Sequence, residues 1–283
     1  MKGVAMIVVT IREAILRGTL IFYFAVGNII VAFVAFAIKA SPDGSAVLVF
    51  GNPIPAKSLM GISPVDFLLI QLQRSSTSAI MFLGIFAVAG LIPSMLEKGT
   101  AELYLSKPLS RTSLFLSRSF GATIAIALNI LYFALVIWAL FGIKLGVWHS
   151  GFLLSCLMVA IAFAFYFSVV AFTSLLTRSQ GFAIMLGFVF WFLSSALETR
   201  EYGIYKLWDN QVYHRILDIL YYATPQISGM LENATRLIGR NPFDRMLGPQ
   251  ATADFTIMPF VYSLLSASAI YALAARYFSK QDY

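Results

Sequence analysis

The sequence predicts an all-α integral membrane protein: six transmembrane helices with an N-terminal interfacial helix, a cytosolic helix between spans two and three, and short extracytoplasmic helices between spans five and six. Three observations carry this. The 283 residues are 59% hydrophobic and 12% charged, whereas soluble domains are nearer a quarter charged. Six charge-poor stretches each supply the roughly 20 apolar residues needed to cross a bilayer core of about 30 Å. Runs such as Ile161–Val170 do not alternate apolar with polar residues. That excludes a barrel and leaves helices, which satisfy their own backbone polar groups in lipid. With no repeats, low-complexity tracts or soluble segment large enough for its own core, residues 1–283 read as a single transmembrane domain.

Residues 1–17 read as an interfacial helix. The apolar run Val4–Ile11 is short and meets Arg12-Glu13 without a small-residue cleavage site, unlike a signal peptide. Thr10 and Glu13 have capping-box spacing, Ile11, Ala14 and Ile15 are apolar, and Arg12 and Arg17 can reach headgroups. The first span covers about 18–38, and 39–63 is a loop rich in Pro and Gly. Ser63-Pro64-Val65-Asp66 is a well-formed helix start, with an N-cap, a proline at N1 and an acid at N3. A helix from Pro64 to Met95 is about 48 Å long at 1.5 Å per residue. The second span therefore takes about 75–94, and Asp66, Gln71, Gln73 and Arg74 are expected outside the hydrocarbon.

Next comes a charged stretch between two spans. Pro93 is expected to interrupt the second helix, and Ser94-x-x-Glu97 has the form of a capping box that starts a new helix over 95–106. Lys98 and Glu102 can pair at i, i+4, Leu96 and Leu103 are apolar, Gly99 permits close approach of another surface, and Pro108 ends the segment. Arg111 and Arg118, seven apart and near one face, lead the third span, about 118–142; spans four and five follow at 151–176 and 180–197. In the loop 198–254, Val212, Ile216, Ile219, Leu220 and Ala223 form a helical stripe ended by Pro225. Ile227, Leu231, Ala234 and Ile238 form another, with Gly239 placed to stop it. These are expected as two amphipathic helices over the outer mouth of the bundle. The sixth span covers about 255–275.

With both termini cytoplasmic, the inner segments hold ten basic residues against four acids, and the outer segments ten against nine, six of those ten basics lying in 198–254. The positive-inside rule therefore favours a multi-pass protein of the cell's inner (cytoplasmic) membrane with both ends inside. The formal charge of +7 suits anionic headgroups and gives no reason to expect nucleic acid. Cys156, the single cysteine, falls in the fourth span, so no intramolecular disulfide forms.

Chemistry within the chain is sparse. His149 and His214 lie on different outer segments, and His214 with Asp218 on one helix face makes two ligands, not a zinc site. No metal site, Ser/His/Asp cluster or pair of intramembrane carboxylates is legible, which disfavours an intramembrane hydrolase or a proton-coupled carrier. Asn28, Asn129 and Thr173 are polar residues within spans, placed either for interhelical hydrogen bonds or for a substrate pathway. Asn233-Ala234-Thr235 matches a glycosylation sequon. No G-x-x-x-x-G-K-[ST] loop occurs, so the chain has no phosphate loop of its own for ATP.

The string Glu97-Lys-Gly-Thr-Ala-Glu-Leu-Tyr-Leu-Ser-Lys-Pro-Leu-Ser-Arg111 closely resembles the E-x-G-T-x-E-x-L-L-S-x-P-x-S-R pattern that follows the second span of ABC-2-type transporter permeases. The order of an interfacial helix, six spans and a largest outer loop between spans five and six is similar as well. Tyr104 stands where that family more often has an aliphatic residue. The resemblance implies that the segment is a coupling helix docking on an ABC ATP-binding subunit through Glu97, Lys98, Gly99, Thr100, Glu102, Lys107, Pro108 and Arg111. It also implies two ATPase copies that carry ATP and Mg, no cofactor in this chain, and a second permease copy or paralogue. The expected activity is export of a lipid, glycan, peptide or other amphiphile. The alternative is a membrane anchor that transmits ATPase motion to an extracytoplasmic partner through 198–254 without transporting a solute.

Overall fold

The computed structural model describes residues 2–41, 46–55, 63–97, 110–201, 203–239 and 255–281. Among these, six helices are long and apolar enough to cross a membrane: Thr19–Ala37, Pro64–Ser94, Arg111–Leu145, Ser150–Thr177, Gln180–Glu198 and Met258–Lys280. The protein is a helical, multi-pass membrane protein. We name the elements α1 (Lys2–Leu16), α2 (Thr19–Ala37), α3 (Pro64–Val88), α4 (Leu91–Ser94), α5 (Arg111–Leu145), α6 (Ser150–Thr177), α7 (Gln180–Glu198), α8 (Gln211–Ala223), α9 (Ile227–Arg236) and α10 (Met258–Lys280).

Local chemistry fixes most boundaries. Ser63 accepts a hydrogen bond from Val65 N at 3.3 Å at the start of α3. Ser110 caps α5 through Ser113 N at 3.2 Å, so that helix begins at Arg111, seven residues before the expected start of the third span. His149 is a helix cap, its Nδ1 accepting from Phe152 N at 3.2 Å while Nε2 lies 3.4 Å from Asp66. Pro259 sits in the first turn of α10, where a missing N–H costs nothing, and the helix continues through Arg276 to Lys280. Lys144, in the last turn of α5, donates to the Ala35 and Ile38 carbonyls and so satisfies the end of α2.

α6 is the axis of the bundle, packing against α3, α5, α7, α9 and α10. Its buried face mixes small residues, Ala160, Ala162, Ala171, Ser168 and Ser174, with Phe163, Tyr166 and Phe167. The small residues let neighbouring backbones approach, which is how helices associate in lipid, where apolar burial drives little. The Tyr166 hydroxyl donates to Gly187 O on α7 at 2.7 Å, and that of Tyr271 on α10 to Ala164 O at 3.1 Å.

Several expectations are corrected. Residues 38–55 are not only loop: β1 (Ile38–Ala40), β2 (Ala46–Val49) and β3 (Asn52–Pro55) form an antiparallel meander in the order β1-β2-β3. Its two-residue turn, Phe50-Gly51, has φ of 50° and 82°. Positive φ at both positions is the demand of a tight hairpin, and without an Asn-Gly or Asp-Gly signature it was invisible in the sequence. Of the two loop helices, α8 keeps its stripe uncovered, with Val212, Ile216 and Ile219 all more than half exposed. α9 instead sinks into the bundle against α6, α7 and α10, burying Ile227, Met230 and Ala234. Asn233, 2% exposed, donates to Thr256 O at 2.8 Å and accepts from Thr256 N at 3.2 Å, so the sequon asparagine is occupied in the folded chain.

Candidate functional site

The root of the charged connector is built on a break in the second span. The helix turns at Ala89-Gly90, three residues before Pro93, and resumes as the single turn α4. These are the positions four and three residues before Pro93, which has no N–H to give to Ala89 O and whose ring crowds that carbonyl, so the proline interrupts the second helix as expected. After α4 the backbone tightens, with Met95 N donating to Ile92 O at 3.2 Å and Leu96 N to Pro93 O at 2.9 Å. Leu91 O is thereby left without its usual helical partner. Arg118 takes it, with Nε at 3.0 Å and a terminal nitrogen at 2.8 Å.

Arg118 has no exposed surface. It holds Glu13 through both carboxylate oxygens, at 2.9 and 3.0 Å, and donates to Ser94 Oγ at 3.1 Å. Glu13 also pairs with Arg17 at 2.8 Å, and Arg17 donates to Gly90 O at 3.2 Å. Burial alone would raise the pKa of Glu13, but the hydrogen bonds and charges of Arg118, then Arg17, outweigh it and hold the carboxyl below its ordinary 4.5. Four elements meet here: α1 through Glu13, the α1–α2 turn through Arg17, α4 through Leu91 and Ser94, and α5 through Arg118. A guanidinium that satisfies a carboxylate and a carbonyl together is rigid and directional.

The approach of α1 makes this geometry possible. Met6, Thr10 and Ala14, at i, i+4 and i+8, are its buried face against α5. A Cβ on Gly121 would lie 2.7 Å from Thr10 Cβ and 3.1 Å from Ile7 O, so a side chain there would separate the helices. Thr10 is mid-helix, its hydroxyl donating to Met6 O at 2.9 Å, and does not cap a helix as its spacing with Glu13 suggested. Gly18, at φ 73°, breaks α1 from α2.

The other end of the connector is also tied down. Arg111, the first residue of α5, donates to Gln281 O, and the Gln281 side chain accepts from Arg178 at 3.2 Å in the turn between α6 and α7. Of the sequence-predicted coupling residues, Glu97 is exposed three residues beyond α4, and Arg111 is held in this contact. Lys98, Gly99, Thr100, Glu102, Lys107 and Pro108 lie outside the described residues. Ser94 Oγ is engaged by Arg118 and by Leu91 O at 3.1 Å.

The three span residues named for a pathway are not brought together. Asn28 donates to Phe24 O at 2.9 Å and accepts from Tyr132 at 3.3 Å; Thr173 bonds back to Val169 O at 2.9 Å; Asn129 is buried on α5. Sequence reasoning missed Glu13, Ser94 and Leu91 as partners. Their signal was an arginine, Arg118, followed by 25 uncharged residues of a span, with Glu13 the single acid among the first 42 residues. No group of three or more His, Cys, Asp or Glu that could hold a metal occurs among the described residues. No protein-family model and no curated protein matches the chain.

Proposed function

We propose that this chain is the transmembrane permease subunit of an ATP-driven ABC transporter, exporting a lipid, glycan, peptide or other amphiphile. Its energy comes from two separate ATPase subunits that dock on residues 95–106, at the membrane face where both termini lie. A second copy or a paralogue completes the pathway. The observation that supports this reading is the buried Glu13–Arg118–Leu91 junction. It makes α1, α4 and the start of α5 one body at the root of the segment whose sequence resembles a coupling helix. A push on that segment would then move the ends of spans two and three together. Glu97, Lys98, Gly99, Thr100, Glu102, Lys107, Pro108 and Arg111 are assigned to docking.

The test is co-purification with the candidate ATPase and measurement of its ATP hydrolysis with transport. Replacing Glu97 and Glu102 by Ala should weaken the complex and separate hydrolysis from transport, and an unchanged complex with unchanged coupling would overturn the assignment. A second reading, a non-transporting anchor that passes ATPase motion to an extracytoplasmic partner, is favoured by the uncovered apolar stripe of α8. A stable partner lost on replacing Ile216 and Ile219 by Asp would select it.

A further inference from the structure

At the end of the bundle away from the connector, three helices turn polar faces onto one cleft of about 270 Å³. Arg74 and Ser78 (i, i+4) come from α3, Trp191, Ser195 and Glu198 (i, i+4, i+7) from α7, and Ser228 and Glu232 (i, i+4) from α9. Glycine at 229 makes room for Glu198, since a Cβ there would lie 3.0 Å from its carboxylate. These are mixed charges at the rim of a membrane span, where ionisable groups are costly and mark pathways or ligand sites.

The acids differ in how they are held. Glu198 accepts from the Tyr221 hydroxyl at 3.0 Å, and Tyr221 in turn carries the Arg200 guanidinium 3.8 Å above its ring. Glu232 stands 3.7 Å from Arg74 and 4.0 Å from Arg236, beyond the 2.7–3.2 Å of a good hydrogen bond. Glu198, Glu232 and Arg74 all line this one cleft. A cation seated there can take both carboxylates as partners, and an anion can exchange with Glu232 on Arg74. Trp191 lines the same cleft, its ring fixed against Phe82 at 5.2 Å and Tyr166 at 5.8 Å. An indole face is the best aromatic surface for an ammonium group.

Depth selects the source of such a ligand. Trp191 lies seven residues, about 10 Å, inside the end of α7. On the adjacent stripe of that helix, Met185, Val189 and Phe192 are at least half exposed and run on toward the middle of the span. A headgroup seated in the cleft would thus have its chains on an apolar, lipid-facing surface. We infer that this cleft binds the phosphate–ammonium headgroup of a zwitterionic lipid, the ammonium between Glu198 and Glu232 over Trp191 and the phosphate on Arg74. This deepens the transport reading by naming a headgroup class. It is tested on the chain alone, so its failure leaves ATP coupling untouched, and a failure of coupling leaves it standing.

The experiment reconstitutes the full chain with equal phosphatidylethanolamine and phosphatidylglycerol of identical acyl chains and counts retained lipid by native mass spectrometry. Phosphatidylethanolamine should be retained at least about tenfold over phosphatidylglycerol, in keeping with the cost of losing a charge partner at a desolvated site. The preference should vanish in Glu198→Gln/Glu232→Gln. It should vanish equally in Ser195→Trp, which fills the cleft from an exposed position without changing charge. Equal retention of the two lipids by the unaltered chain overturns the proposal, as does a preference that survives both variants. Displacement of the lipid by free phosphoethanolamine would assign the cleft to a small zwitterion and overturn the lipid source.

Discussion

Arg118 and Glu13 are the residues on which the junction turns. Removing one member of a buried pair leaves an uncompensated charge and costs on the order of 3–5 kcal/mol, whereas replacing both by apolar residues is often close to neutral. Glu13 keeps 25% of its side-chain surface exposed, so Arg118→Ala is expected at the low end, about 3 kcal/mol. Arg118→Met with Glu13→Leu should restore most of that stability while leaving the proposed ATPase coupling impaired. Cys156, buried and without a second cysteine, supplies the readout, because a thiol-reactive dye reports thermal unfolding at a single site. The pH response follows from the sign of the shift. Glu13 has a folded-state pKa below its ordinary 4.5, so its contribution is fully present above that value. It is lost as pH falls from about 4.5 through the folded-state pKa, because the unfolded chain takes up the proton first. Melting temperature should fall along that acid limb in the unaltered chain and less steeply in the double variant. The charge of these residues was plain in the sequence, but their pairing across 105 positions was not, because no local rule links a carboxylate on one helix to a guanidinium on another.

Among the elements, α1 and α8 are the informative ones. α1 owes its place to close approach at Gly121, and Gly121→Val should destabilise the fold by about 1–3 kcal/mol through forced separation from α5. The same thiol assay measures this, and under the proposed function loss of the Glu13 contact should accompany it as loss of ATPase coupling. α8 is the contrasting case: its stripe is unburied, so Ile216→Asp and Ile219→Asp should each leave the melting of the isolated chain within about 0.5 kcal/mol of the original. Both helices were legible from periodicity. Which face each would cover was not, since an apolar stripe states that something must be covered and leaves open what covers it. α9 shows this most clearly, having the same kind of stripe as α8 but a place inside the bundle against α6 and α7.

At the scale of the whole molecule, the junction and the Arg111–Gln281–Arg178 contacts tie the same end of the bundle together from both sides of the connector. If α1 and α5 move as one body in the proposed transport cycle, joining them covalently should not impede it. A Cβ on Gly3 would lie 3.3 Å from Ser117 Oγ, so the side-chain ends of the two positions meet, as a disulfide with its S–S bond of about 2 Å requires. In a Cys156→Ser background, Gly3→Cys with Ser117→Cys should therefore cross-link under oxidation and retain ATP-coupled transport. Loss of coupling on oxidation, restored by reduction, would show instead that α1 slides along α5 during the cycle.

Hydrophobic length, helix-start chemistry at Ser63-Pro64 and the absence of strand alternation were enough to give the helical class and the six spans, because each depends on neighbours within a few turns. The string 97–111 likewise carried the functional expectation in its residues alone. Packing in three dimensions chose the rest: the arginine that reaches the Leu91 carbonyl, the hairpin at Phe50-Gly51, and the descent of α9 into the bundle. The physical reason is common to all of them. In a bundle where nearly every segment is apolar, composition scarcely distinguishes a lipid-facing stripe from a protein-facing one, and the choice falls to close-approach geometry and to the few polar groups that must find partners away from water.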